Sequence, residues 1–346
     1  MIARLAAQGL AVLLFSTGGF TSVLAAESAE AKMWLERMSQ ALATRNYDGK
    51  FFHLRGEQTE TLRIIHRVDG RKITERLIAL DGSGREVIRN ESEVICYLPD
   101  RKLVLVEQRT GDGPLFGALP SYSQGLDEHY DIEAGKVSKL LGRKTQMITV
   151  KPKDEFRYGY NLWIDYETSM PLKTQLCDRE GQVIEEILFA TIDLPERIPA
   201  ASLQPETSAE GFRWFRQAVL APEPGAAEAW RVPRLPNGFR LTDQRVQAAT
   251  GGNAAVQHLV FSDGLASVSV FIEPRPRSAV PLHGLTRMGS AFAFSTEVSG
   301  HQVTAVGEVP AVTVQIIAGS VQAARSPAPK SQQPAAKVIA HATGTR

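Results

Sequence analysis

Apolar and polar positions alternate along most of this chain with the two-residue period of a β-strand, most clearly between Tyr158 and Thr191, YGYNLWIDYETSMPLKTQLCDREGQVIEEILFAT. Tyr158 to Ile164 is rich enough in aromatic and β-branched residues to be a strand. Asp165 to Pro171 interrupts it, and Pro171 disfavours a helical residue before it. From Leu172 to Cys177 the alternation predicts Leu172, Thr174 and Leu176 on one face and Lys173, Gln175 and Cys177 on the other. Asp178-Arg179-Glu180-Gly181 reads as a turn, and Gln182 to Thr191 returns as a third strand. Such a meander needs a second layer across one face.

One candidate for that layer lies upstream. Ser28 to Thr44 carries Trp34, Leu35, Met38, Ala41 and Leu42 as a single helical stripe, with Ser28 placed to cap it. From Gly49 to Gln108 the pattern is again strands: Lys50 to Leu54, Thr59 to Val68, Lys72 to Leu80 paired with Arg85 to Arg89, and Val94 to Leu98 paired with Lys102 to Gln108. His66, between apolar neighbours, reads as a hydrogen-bonded core or rim histidine. Leu103, Val104, Leu105 and Val106 are apolar on both faces. An antiparallel strand with one wet face would not be, so this pattern predicts helix on one side and a cavity or another sheet on the other. Thr110 to Leu126 has four glycines and two prolines, yet also Leu115, Phe116, Leu119, Tyr122 and Leu126. A loop carrying such side chains reads as a lid or packed flap. Strands resume at Tyr130 to Glu133 and Lys144 to Lys151.

The prolines between Asp193 and Ala229 mark a linker, 193–229, in which GFRWFRQAVL is expected to form a short docked helix. It divides a large unit, 27–192, from a smaller one, 230–324. In the latter, a turn at Pro236-Asn237-Gly238 precedes a strand, Gln257 to Ser262 and Leu265 to Ile272 form a hairpin around Asp263-Gly264, and Arg287 to Phe294 and His301 to Val306 are further strands. Pro310 to Ala323 reads as a last helix. The remainder, 325–346, is rich in Ala, Pro, Lys and Gln and is expected to be a disordered tail.

The first residues change the address. Met1-Ile2-Ala3-Arg4 is a positive n-region, Leu5 to Phe15 an apolar stretch shorter than the ~20 residues of a membrane span, and Val23-Leu24-Ala25-Ala26 a signal-peptidase site, so 1–26 reads as a cleaved secretory signal. No cysteine follows that site to carry a lipid anchor. Without Arg4 the chain holds 38 basic and 38 acidic residues, a balance that argues against a nucleic-acid binder. An oxidising compartment allows a disulfide between Cys96 and Cys177; the alternative is two partly buried thiols.

Recognisable catalytic chemistry is missing: G-x-S-x-G, H-E-x-x-H, C-x-x-C and the P-loop are all absent. Gly82-Ser83-Gly84 sits in a hairpin and lacks the third glycine of a dinucleotide loop. Asp127-Glu128-His129 reads as a solvated charge cluster, and Glu185-Glu186 alternate across a strand. No cofactor, metal or catalytic residue is assigned.

Five stretches carry a resemblance: NYDGKF at Asn46, YGYNLWIDYETSMPLKTQLCDREG at Tyr158, LPNGF at Leu235, FSDGLASVSVFIE at Phe261 and VGEVP at Val306. Together they resemble the MucB/RseB family of periplasmic sigma-E regulators, closest to its alginate-system branch, over nearly the whole mature chain. The resemblance implies a mainly β, α+β protein: a large unclosed antiparallel barrel with helices in its concavity, as in the lipoprotein carriers LolA and LolB, and a smaller domain of sheet and helix. It implies a periplasmic partner, the outer part of a membrane-spanning anti-sigma factor, shielded from site-one proteolysis until lipopolysaccharide or another acylated signal releases it. On this reading Leu103, Val104, Leu105, Val106, Leu115, Phe116 and Leu119 line or cover an acyl cavity. The partner surface is placed, partly by resemblance, at Trp230, Phe239 and Phe271, large groups in a small unit, and the nearby Arg231, Arg234, Arg240 and Arg245. A lipoprotein or lipid carrier is the alternative suggested by the large domain alone; an envelope enzyme has no motif behind it.

Overall fold

A computed structural model of the chain describes residues 19–108, 119, 122, 125–216, 219–220, 230–248, 255–275 and 282–324. Most of the predicted signal segment, the 325–346 stretch and, within the predicted flap, Leu115 and Phe116 lie outside these residues.

The chain opens with helix α1 (Gly19–Thr44), followed by strands β1 (Tyr47–Arg55), β2 (Gln58–Asp69), β3 (Lys72–Ala79), β4 (Glu86–Arg89), β5 (Glu93–Leu98) and β6 (Leu103–Gln108). A four-residue helix α2 (Leu126–His129) leads into β7 (Tyr130–Leu140), β8 (Arg143–Pro152), β9 (Gly159–Asp165), β10 (Pro171–Cys177) and β11 (Val183–Asp193). These strands and β12 (Arg213–Arg216) make one 12-stranded sheet in the order β12-β6-β5-β4-β3-β2-β1-β11-β10-β9-β8-β7. Its end strands β12 and β7 do not pair, so the sheet stays unclosed, as expected. Only β12, which runs parallel to β6, departs from antiparallel pairing.

The apolar stripe of α1 explains the curvature. Trp34, Leu35, Met38 and Leu42 share one core with Phe51 of β1, Ile64 of β2, Ile148 of β8, Leu162 of β9, Leu172 of β10 and Phe189 of β11. Strands that far apart in the sheet can share one core with a single helix only if the sheet curves around it. The helix begins at Gly19 rather than Ser28, because Val23-Leu24-Ala25-Ala26 are compatible with helix; Ser28 is interior and caps nothing.

The outer face of the sheet is covered as well. Cross-strand partners share a face, and the pairs Arg76–Ile88, Ile88–Ile95 and Ile95–Val106 carry the outer face from β3 to β6. On it, Val104, Val106, Ile88 and Tyr97 pack against Ala209 and Phe212, while Ile65 and Ile78 pack against Ile198 and Leu203. The segment after β11 therefore lies on the sheet and enters it. Within GFRWFRQAVL, Arg213 to Arg216 form strand β12 and not a helix, taking the open edge of β6 residue against residue from Leu103 to Val106. This accounts for the double-faced apolarity of β6 through a covering segment of the same chain.

Cys96 and Cys177 are both free, a correction to the disulfide considered above. They stand on β5 and β10, six strands apart in the sheet. Each step is about 4.8 Å, against the ~5.5–6 Å between the Cα atoms of a disulfide. His66 is the core histidine expected: buried, 2.8 Å from Glu75 through Nδ1, its ring stacked on Tyr47 at 4.4 Å.

A second sheet of seven strands has the order β13-β15-β16-β17-β20-β19-β18. It is built from β13 (Val219–Leu220), β15 (Arg240–Ala248), β16 (Ala255–Ser262), β17 (Ser267–Pro274), β18 (Gly284–Met288), β19 (Ala291–Val298) and β20 (His301–Gly307). Helix α3 (Ala311–Gly319) packs Val314, Ile317 and Ala318 against Phe261, Val270 and Val303. It stops at Gly319, short of the predicted Ala323, because Gln322–Ala323 (β21) pairs with Trp230–Arg231 (β14). The predicted strand from Arg287 to Phe294 is instead a hairpin, β18 and β19, reversing at Gly289-Ser290, where Gly289 has φ +66°. No described helix is long and apolar enough to cross a membrane.

Candidate functional site

The concave face of the large sheet holds an apolar cavity of about 230 Å³. Its walls are alternate residues of five strands: Phe51 and His53, Leu62 and Ile64, Leu77, Thr174 and Leu176, and Glu185 and Ile187, with Tyr160 of β9 and Leu119 completing it. The face assigned from the sequence to Thr174 and Leu176 is the cavity face. The volume lies just below the ~300–1,000 Å³ of drug-sized sites, which suits one chain segment better than a bulky ligand.

One lining residue, Glu308, follows β20 and so comes from the small domain. It belongs to a polar cluster at one end of the cavity. Ser290 Oγ, in the β18–β19 turn, bonds Glu185 Oε2 at 2.6 Å and also Glu308 Oε1. His53 Nε2 lies 2.7 Å from Glu185 Oε1, and Arg55 Nε donates to Glu185 Oε2 at 3.2 Å. Burial pushes the Glu185 carboxyl up, but the bonds from His53 and Ser290 and the charge of Arg55 outweigh it and hold it at about 2. Burial, reinforced by the charge of Glu185, pushes Glu308 up despite its bond to Ser290. A Cβ on Gly289 would meet Arg55 Cδ at 2.3 Å, so the turn approaches β1 closely at this contact.

The domains meet a second time at the far edge of the large sheet. Arg157 is fully buried; it donates to Asp263 Oδ2 at 2.6 Å, to the Asn237 carbonyl at 2.5 Å and to Asp154 at 2.9 Å. Tyr130 donates to the same Asp263 oxygen at 2.9 Å, and burial raises its phenol well above the ordinary range. The β16–β17 turn thus reaches into the large domain, and Leu265 packs on the α1 core. Thr313, in the first turn of α3, donates to the Phe156 carbonyl at 2.7 Å. Gly238, at φ +84°, lies where a Cβ would meet His129 Nε2 at 2.2 Å.

Of the residues predicted to form the acyl site, Leu119 lines this cavity. Leu103, Val104, Leu105 and Val106 do not: Val104 and Val106 face outward under Phe212, and Leu103 and Leu105 are half-buried elsewhere on β6. Among the residues predicted for the partner surface, Phe239 is buried at the junction, 5.3 Å beneath the Arg157 guanidinium. Phe271 stacks on His258 at 4.4 Å, and Arg245 donates to that histidine at 2.9 Å. Trp230 is half-buried, edge-on to His301 at 4.9 Å. Arg231, Arg234 and Arg240 are exposed and form no ion pair with any described residue. Asp127 pairs with Lys32 at 2.7 Å, and no group of metal-ligating side chains occurs among the described residues. The junction residues Arg157 and Ser290 were not singled out from the sequence, and Glu185 was read only as one of two acids alternating across a strand; Asp263 and Glu308 stand inside FSDGL and VGEVP without announcing their role.

Together these features define a two-domain protein in which an open, helix-filled half-barrel holds a small apolar cavity and a second domain closes over one end of it. The chain belongs to the MucB/RseB family: residues 30–207 match the MucB/RseB N-terminal domain and residues 224–322 the MucB/RseB C-terminal domain. It is 30% identical over 325 residues to the sigma factor AlgU regulatory protein MucB of Pseudomonas aeruginosa, covering 90% of this chain and 96% of that one. To the sigma-E factor regulatory protein RseB of Escherichia coli K12 it is 27% identical over 296 residues, covering 83% and 89%. The crystal structure of MucB in complex with MucA(peri) superposes with a TM-score of 0.64 at 28% identity, covering 86% of this chain and 100% of that one.

Proposed function

We propose that this protein is a periplasmic negative regulator of a sigma-E-type envelope stress response. It binds the periplasmic domain of a membrane-spanning anti-sigma factor, shields it from site-one proteolysis, and lets go when an acylated signal such as a lipopolysaccharide chain occupies the cavity. The observation that carries this reading is the likeness to the structure of MucB in complex with MucA(peri), which covers 86% of this chain. The cavity supports the second half. Its walls are mainly aliphatic and aromatic, and each methylene moved there from water contributes about 0.8 kcal/mol. Exposed Arg231, Arg234 and Arg240, without an ion pair among the described residues, support an acidic contact segment on the partner.

The test is a pull-down of the full chain with the purified periplasmic domain of its anti-sigma factor, with and without lipopolysaccharide, followed by site-one protease digestion. Retention and protection that both fall on adding lipopolysaccharide are expected. Failure to retain the anti-sigma domain, with mature lipoproteins co-purifying in its place, would point to a carrier.

A further inference from the structure

Ser290 stands between two carboxylates that belong to different domains. Its hydroxyl has one proton and can donate one hydrogen bond, yet it lies in bonding contact with both Glu185 and Glu308. Were both acids ionised, one oxygen–oxygen contact would hold no proton. Glu185 already receives His53 and Arg55. Glu308 has no hydrogen bond from a cationic group among the described residues. With that proton on Glu308, the chain would run Glu308 O–H to Ser290 Oγ, then Ser290 O–H to the Glu185 carboxylate.

We propose that Glu308, Ser290 and Glu185 form a proton-dependent latch holding the small domain closed over the polar end of the cavity. Burial raises Glu308 in the closed state, and opening would return it to water and to the ordinary carboxylate range. Closure thus takes up one proton. The latch strengthens as pH falls through the closed-state value of Glu308 toward the ordinary carboxylate range, by at most tenfold in the closing equilibrium per pH unit, and the need for an ionised Glu185 sets the lower end of that window. The other charged and titratable groups facing Glu308 are His53 and Arg55 on β1, Glu185 on β11, and Tyr158 and Tyr160 at β9, with Arg287 of β18 beside Tyr158. The Arg157–Asp263 contact shares no such proton and acts as the pivot. Because Glu308 also lines the cavity, whatever occupies that end touches the small domain directly.

Hydrogen exchange of the full chain across pH, corrected for intrinsic rates, tests this without ligand or partner. Protection of residues 284–292 and 183–188 should rise as pH falls, while 259–263 at the pivot stay constant. Glu308→Gln offers Ser290 a donor that cannot titrate, so its protection should be high and flat; Ser290→Ala should be low and flat. If Glu308→Gln follows the wild-type pH profile, or the profile disappears only in His53→Gln, the latch is not Glu308 and the proposal is overturned.

Discussion

Arg157 has no exposed surface, and each of its guanidinium nitrogens donates to an oxygen, with Asp263 the only fully buried carboxylate among the partners. Removing one member of a buried pair typically costs about 3–5 kcal/mol, because the other charge is stranded. Asp263 also holds its own turn, since its Oδ1 accepts the Leu265 and Ala266 amides at 2.8 Å. Asp263→Asn keeps an acceptor for the turn and loses the charge; Asp263→Ala loses both. Denaturant titration should show both variants destabilised, Ala more than Asn. Equal stability of Asn and wild type would mean that the charge pair is not what joins the domains here.

Glu185 gives a pH signature of opposite sign to that of the latch acid. Its folded value of about 2 lies below the ordinary 4.5. Its stabilisation is complete well above 4.5 and is lost as pH falls toward 2, by on the order of 3 kcal/mol. Acid unfolding followed by circular dichroism should show that slope in wild type and a shallower one in Glu185→Gln. The Glu185-Glu186 alternation was legible as a period of two. Which of the two looks into the cavity was not, because that needs the curvature: Glu185 turns to the junction, whereas Glu186 pairs outward with Lys173 at 2.9 Å.

Among the elements, hairpins were the most readable. A turn sequence and two alternating flanks lie within about twenty residues, so local chemistry suffices. The strand at Arg213–Arg216 was unreadable for the converse reason: its partner β6 lies more than a hundred residues earlier, and its two large side chains, Trp214 and Phe215, suit a strand or a short helix equally well. This placement predicts the behaviour of fragments. A chain ending at 192 leaves the β6 edge unpaired and uncovers Val104 and Val106 on the outer face. Exposed apolar edges template association. Size-exclusion chromatography should find that fragment aggregated, and one extended through 216 less so. Equal behaviour of the two would show that the covering segment adds nothing.

Taken whole, the molecule is two sheets joined at a pivot and a latch, with a cavity whose end belongs to both. A ligand of that cavity can release a protein partner only by binding the partner-free state more tightly, and the coupling is reciprocal. Anti-sigma affinity measured across a lipopolysaccharide titration, and lipopolysaccharide affinity across an anti-sigma titration, should shift by the same factor. An anti-sigma affinity unmoved at saturating lipid would leave shielding without sensing. By itself the sequence determined the mostly β character, the helix that fills the concavity, the two-part organisation and the family, because periodicity, turn residues and motifs are written locally. Tertiary structure alone decided that the cysteines stay apart, that the presumed linker covers a sheet, and that Glu185 meets Ser290 and Arg157 meets Asp263. Those pairs lie 105 and 106 residues apart, and only the packed sheets bring them within bonding distance.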